Sequence, residues 1–142
     1  MKEPVGLLIG AVRRRMKRAV TERLRAHGLT AQQFWVLINI DEAAGPSLGE
    51  LAGRLRLDAP TASRAVTQLL RRKLVRAEGD LKDRRRLRLR LTRAGRARMA
   101  PLRALAVELR SAAVHGLSAE EEETLRALLR KIIVNLDELV RR

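Results

Sequence analysis

Cysteine and tyrosine are absent from this 142-residue chain, and phenylalanine and tryptophan occur once each. Without cysteine there is no disulfide framework, no thiolate zinc site and no thiol redox sensor, and the two histidines, His27 and His115, are too few for a histidine cage. No cofactor and no metal are expected. Long apolar runs are missing too. The stretch from Val5 to Val12 is too short for a signal core with a cleavage site and far short of a membrane span, so a soluble cytoplasmic protein with no membrane partner is expected. An enzyme reading lacks a nucleophile and base pair, a phosphate-binding glycine loop and a metal set. The carboxylates of Glu120 to Glu123 follow Ser118 in what reads as a first helical turn, where negative charge stabilises the helix dipole.

What the chain has in excess is positive charge. Its formal charge is +15, and residues 54 to 98 hold 16 of the 31 Lys and Arg against four acids, Asp58, Glu78, Asp80 and Asp83. A field this concentrated points to a polyanion, because bases that pair with phosphates release condensed counterions and gain affinity from the release. Nucleic acid is the expected partner. A basic RNA-binding or ribosome-associated protein is the alternative, but single-strand RNA readers display aromatic stacking platforms, and Phe34 and Trp35 are the only two rings besides the histidines. Adsorption to an anionic membrane needs an apolar face that the most basic segment does not offer.

Helix signals recur along the chain. Leu8, Ile9, Val12, Met16, Val20 and Leu24 recur at three- and four-residue spacing and predict an amphipathic helix over 5–26, ended near Gly28. Thr30-x-x-Gln33 is a capping box for a second helix carrying Phe34, Leu37, Ile38 and Ile40, stopped by Gly45-Pro46. Ser47-x-x-Glu50 opens a short third helix. Asp58 caps a fourth over 59–72, with Pro60 tolerated in the first turn because no intrahelical N–H bond is needed there.

Periodicity divides that fourth helix. Ala62, Ala65, Val66 and Leu69 face the core, whereas Thr61, Ser63, Arg64, Thr67, Gln68 and Arg71 face outward. Short polar residues and one arginine near a helix start are what a recognition helix presents to base edges, and Arg64 has the fork that matches guanine O6 and N7. After Leu74 the period changes to two. Leu87, Leu89 and Leu91 alternate with Arg86, Arg88 and Arg90, predicting a strand paired with Leu74 to Glu78 across a turn from Gly79 to Asp83. Such a hairpin beside a recognition helix is a wing. Arg85 is the candidate for minor-groove insertion, with Asp83 holding it or Arg84 by an ion pair, and Arg86, Arg88 and Arg90 are candidates for phosphate contacts or a solvated strand face.

These residues resemble the MarR family of winged helix-turn-helix transcriptional regulators over nearly the whole chain. The resemblance rests on Pro60-Thr61-Ala62-Ser63-Arg64 opening the recognition helix, on Asp80-x-x-Asp83-Arg84-Arg85 in the wing, and on Leu91-Thr92-x-x-Gly95 opening the next helix. It implies a homodimer built from the terminal helices, bound to pseudo-palindromic double-stranded DNA and often released by a small-molecule effector. One departure is visible. Relatives place a glycine before the Leu-Val that follows the recognition helix, and this chain has Lys73, which costs about 1 kcal/mol if the position is left-handed. A rearranged helix end is the expectation.

The last third supports self-association by itself. Thr92 caps a long helix with Met99, Leu102, Leu105, Ala106 and Leu109 on one stripe, ending near His115-Gly116, and Ser118-x-x-Glu121 starts another. Leu125, Leu128, Leu129, Ile132, Ile133, Leu136, Leu139 and Val140 then form an apolar face too broad for a small domain to cover alone. The expected fold is mainly α with a small β-hairpin wing, a single unit in which 30–98 form a winged helix-turn-helix and 5–26 with 100–142 a helical dimerisation region. The expected function is a homodimeric transcriptional regulator, a repressor rather than an activator because occlusion of a promoter requires only binding. One ring of the Phe34-Trp35 pair belongs to the core, and the other is a candidate to line an effector cavity.

Overall fold

Small polar side chains set five of the helix starts: in the computed structural model, which describes residues 1–83 and 85–142, Thr30, Ser47, Asp58, Thr92 and Ser118 each accept a backbone N–H of the turn they open. Helix α1 spans Val5–Leu24 and continues as one 3-10 turn, Arg25–His27, closed by left-handed Gly28. Helix α2 (Ala31–Ala43) starts at the Thr30/Gln33 capping box and α3 (Leu48–Leu55) at the Ser47/Glu50 box. Helix α4 (Ala59–Arg71) starts at Asp58, and strands β1 (Val75–Gly79) and β2 (Leu87–Leu91) form one antiparallel pair. Helices α5 (Arg93–Ala97), α6 (Met99–Ala113) and α7 (Ala119–Arg141) complete the chain. Two compact units result, Met1–Leu109 and Arg110–Arg142. Among the described residues no helix is long and apolar enough to cross a membrane.

The first unit is built around Phe34, Leu37 and Ile38 of α2, Leu51 of α3, Leu69 of α4 and Met99 and Leu102 of α6, all essentially excluded from solvent. The four α4 residues assigned to the core face, Ala62, Ala65, Val66 and Leu69, are buried. Of α1 only Val20 and Leu24 are, leaving Val5, Leu8, Val12 and Met16 exposed. In the second unit α7 buries none of its residues, and Leu128, Leu136 and Leu139 are more than half exposed. The apolar stripes of both helices are therefore uncovered in one copy of the chain.

Four expectations need correction. The hairpin register runs Val75↔Leu91 to Gly79↔Leu87, one residue beyond the expected strand, because Asp80 and not Gly79 starts the turn: its carboxylate accepts the Lys82 N–H at 2.8 Å and its own N–H donates to Arg86 O at 2.9 Å. Leu87, assigned to the core face, lies beyond the core and is exposed, whereas Leu89 and Leu91 are buried. The single helix expected from Thr92 is two, broken at Arg98. Pro101 explains the break, since it has no N–H to donate and its ring clashes with the carbonyl four residues earlier.

The end of α4 is the fourth. Lys73 sits at φ 57°, so lysine occupies the left-handed position that glycine favours and the helix end is not rearranged. Leu74 N–H donates to Leu69 O and Lys73 N–H to Leu70 O, the two bonds of a left-handed helix stop. The Thr92 hydroxyl donates to Lys73 O at 2.6 Å, which helps to hold the strained residue. Immediately beyond, Thr92 caps α5 through the Gly95 N–H, and α5 lies so close to the end of α4 that a Cβ on Gly95 would stand 2.1 Å from Leu74 O. That close approach is why the Leu-Thr-x-x-Gly pattern ends in glycine.

Gly95→Ala should destabilise the protein by about 2 to 3 kcal/mol in urea unfolding, because backbone must move to admit the methyl group. Gly53→Ala in α3, where the added carbon meets nothing within 4 Å, should be stabilising by up to about 1 kcal/mol through helix propensity. Equal effects at the two sites would show that the close approach is not what demands Gly95.

Candidate nucleic-acid interface

The N-terminal turn of α4 is organised by one carboxylate. Asp58 accepts the Thr61 N–H at 2.8 Å and the Thr61 hydroxyl at 2.8 Å, and that hydroxyl accepts from Arg64 Nη2 at 3.4 Å. The backbone N–H of Thr61, then its hydroxyl, hold the Asp58 carboxyl below its ordinary range. Pro60, Ser63, Arg64, Thr67, Gln68 and Arg71 are exposed and Thr61 half-exposed, so α4 carries the whole set read as a recognition surface outside its buried stripe. Thr61 is committed within the protein and acts on the surface through Arg64. Among the described residues, Arg71 finds no protein partner.

Gln68 is connected inward. Its Oε1 accepts from Nε2 of Gln33 at 2.9 Å, and Gln33 is 7% exposed. The Gln33 Oε1 in turn accepts from Thr30 N–H at 3.2 Å and from Arg72 Nη1 at 3.2 Å, while Arg72 Nη1 also donates to Gly28 O at 2.7 Å. Gln33 and Arg72 carry this network, and neither was singled out for it from sequence. Gln33 was legible as a capping residue, but nothing in local spacing says that its side chain also reaches a residue 35 positions away.

The strand arginines do something the alternation did not show. Arg86 Nη2 pairs with Glu50 at 3.1 Å and approaches the Ser47 hydroxyl at 3.4 Å. Arg88 pairs with Asp80 at 3.0 Å and donates to Gly45 O at 2.9 Å, and Arg90 pairs with Glu78 at 2.8 Å and donates to Ala44 O at 3.1 Å. Leu89 N–H donates to Pro46 O at 2.9 Å. Every residue from Ala44 to Ser47 thus accepts a hydrogen bond from β2 or from Arg86 just before it. Ala44 and Gly45 both take positive φ, 52° and 93°, which turns their carbonyls toward the strand, and the Arg90 guanidinium fills the space that a side chain on Gly45 would need. These arginines fasten the wing to the body while remaining partly exposed to solvent.

At the wing tip the Asp83 carboxylate accepts the backbone N–H of Arg85 at 3.0 Å, and Asp83 O accepts from Arg86 N–H at 3.0 Å. Asp83 therefore shapes the turn through the backbone; an ion pair with Arg84 falls outside the described residues. The Arg85 side chain is exposed and, like Lys82, has no partner among the described residues. Phe34 is the core member of the aromatic pair, and Trp35, half-buried, tilts against it with ring centroids 4.7 Å apart.

Known proteins are similar to this chain over most of its length. A model of the MarR family matches residues 27–86. A mutant MarR from E. coli complexed with operator DNA is similar at 31% identity and TM-score 0.75, with 91% of this chain and 93% of that chain covered. BpsR of Bordetella bronchiseptica, whose structure concerns regulation of its DNA binding by 6-hydroxynicotinic acid, is 28% identical at TM-score 0.76, covering 92% of this chain and 93% of that one. S. aureus MepR in complex with DNA is 25% identical at TM-score 0.80, covering 94% and 99%.

The carboxylates of the wing make its anchoring sensitive to acid. Asp80 is held below its ordinary 3.8 by the Lys82 N–H first and by the Arg88 charge, and Glu78 below 4.5 by hydrogen bonds from Arg76 and then Arg90. A depressed folded-state value means that the stabilisation is fully present above about pH 5 and is lost as pH falls through the lowered value. Asp80→Asn should therefore be less stable than wild type at pH 6, and the two should converge as pH drops below 3.8. Urea unfolding at constant ionic strength measures the gap, and a gap that stays constant down to pH 3 would show that the Asp80 charge contributes nothing.

Proposed function

The chain belongs to the MarR family of winged-helix regulators, and on that premise we propose that it is a sequence-specific double-stranded DNA-binding transcriptional regulator, a homodimeric repressor at a pseudo-palindromic operator. The observation that carries the proposal is the pairing of an exposed, capped helix edge bearing Ser63, Arg64, Thr67 and Gln68 with a basic hairpin anchored to the same unit. In this reading α4 enters the major groove, and Arg64 reaches guanine O6 and N7. Arg85 at the wing tip enters the minor groove, and Arg71 and Lys82 grip phosphates. Arg86, Arg88 and Arg90 add field to the grip while holding the wing in place.

Two copies are part of the proposal. The uncovered apolar stripes of α1 and α7 are what a second chain would bury, and a dimer sets two recognition helices about 34 to 36 Å apart, one turn of duplex. The protein acts by binding, without catalysis of its own, at DNA in the cytoplasm. Repression follows from occlusion of a promoter. Release by a small-molecule effector is supported by the likeness to BpsR, whose DNA binding is regulated by 6-hydroxynicotinic acid.

Selection of duplexes from a random pool should return an inverted repeat with roughly one-turn spacing. Against that site Arg64→Ala should lose about 1 to 3 kcal/mol and relax the preference at one position of each half. Equal loss on every duplex would refute base readout by Arg64. The double substitution Leu129→Glu and Leu136→Glu, on the exposed side of α7, should sediment as a monomer and bind the full site far more weakly; a stable dimer would remove α7 from the interface.

A further inference from the structure

We infer that Gln33 sets the direction of the Gln68 amide, so that Gln68 offers the major groove hydrogen-bond donors only and selects guanine over adenine at the base it meets. The inference rests on the DNA-binding reading above and adds to it a base identity and the buried residue that imposes it. Glutamine is ordinarily ambidextrous. Its amide oxygen and nitrogen together match adenine, accepting from N6 and donating to N7, whereas the nitrogen alone suits the adjacent N7 and O6 acceptors of guanine.

Here the orientation follows from donors that cannot be reversed. The backbone N–H of Thr30 and the guanidinium of Arg72 can only donate, and both meet the same atom of Gln33, which must be its oxygen. The other end of the Gln33 amide is then the nitrogen, and the Gln68 atom 2.9 Å from it must be an oxygen. Gln33 is 7% exposed, so leaving its N–H without an acceptor would carry the full cost of desolvation. Arg72 is held on Gly28 O at 2.7 Å, which anchors the series at the turn between α1 and α2. Gln68, exposed on α4, is left with its NH2 as the group free to face outward. Gln33 is a positioning residue for this readout; it does not touch DNA.

The test uses the full-length protein and the duplex enriched by wild type from a random pool, rebuilt with each base pair at every position and titrated by fluorescence anisotropy at fixed salt. Gln68→Ala identifies the position read by Gln68 as the one whose preference collapses. There wild type should favour guanine over adenine by about fivefold or more. Gln68→Lys, a donor-only side chain, should keep that preference, and Gln68→Glu, an acceptor-only one, should reverse it toward adenine or cytosine.

Gln33→Glu is the sharper variant. Its carboxylate still accepts from Thr30 and Arg72 but presents a second acceptor to Gln68, which must turn its NH2 inward and its oxygen outward. Preference should then move from guanine to adenine or cytosine while the salt dependence of binding stays as in wild type. A structural role alone would lower affinity for all four base pairs alike. Wild-type preference retained by Gln33→Glu, an adenine preference in wild type, or no position altered by Gln68→Ala would each overturn the inference and leave the DNA-binding reading intact. If Gln33→Glu does not fold, loss of the guanine preference in Gln68→Lys overturns it. Enrichment of no sequence by wild type would overturn both.

Discussion

The fastening of β2 to the loop between α2 and α3 is the constraint on which the rest of this surface depends. A two-stranded hairpin has little stability of its own in water and needs packing to persist. Here Leu89 and Leu91 bury one face, while Arg86 donates to Ser47, Arg88 to Gly45, Leu89 N–H to Pro46 and Arg90 to Ala44. That loop is continuous with α2, which packs on α4, so the wing and the recognition helix are referred to one body. The Arg86–Glu50 and Arg90–Glu78 pairs are partly exposed and contribute little to stability. Their importance is geometric, because bonds from several donors to fixed carbonyls leave the hairpin little freedom to swing.

Much of this was legible in sequence because it is local. Capping boxes at Thr30, Ser47 and Ser118 involve residues three apart, and their chemistry permits few other readings. Alternation in 87 to 91 showed that a strand was present and that its leucines and arginines take opposite sides. It could not show what the arginine side meets, because Gly45 O and Ala44 O lie more than 40 residues away. The hairpin register was missed by one residue for a related reason: Gly79 resembles a turn residue, but the Asp80 carboxylate supplies the turn by accepting the Lys82 N–H. At Lys73 the left-handed backbone is kept, contrary to the expected rearrangement, and the Thr92 hydroxyl on Lys73 O is part of why lysine is accommodated there.

The positive charge reads differently once its partners are known. Of the bases between 54 and 98, Arg54 is tied to Asn39, Arg72 to Gly28, Arg96 to Leu91 and Arg98 to His27, in addition to the wing pairs. Binding to a carbonyl leaves a guanidinium charged and leaves several of its five donors free, so these contacts arrange the field without removing it. Arginine suits this double use better than lysine. A planar fork can hold the protein with one edge and present another to phosphate, and it loses less conformational freedom on doing so.

In the proposed reading, affinity and discrimination reside in different parts of the stretch from Thr61 to Arg90. Phosphate grip is a sum of many weak, salt-screened terms, tolerant of small displacements, and in that reading it falls to the arginines and lysine of the wing. Base discrimination depends on a few hydrogen bonds that must be correctly aimed, and only bonds that place the wrong base against an unmatched donor or acceptor discriminate strongly. On α4 two of the exposed residues with that capacity are themselves held: Arg64 by Thr61 and through it Asp58, Gln68 by Gln33 and through it Arg72. A side chain already restricted before it meets DNA gives up less entropy on binding and has fewer ways to accommodate a mismatch. The polar network beneath α4 thus restrains both side chains before any partner is met, and Gln33 is its buried member.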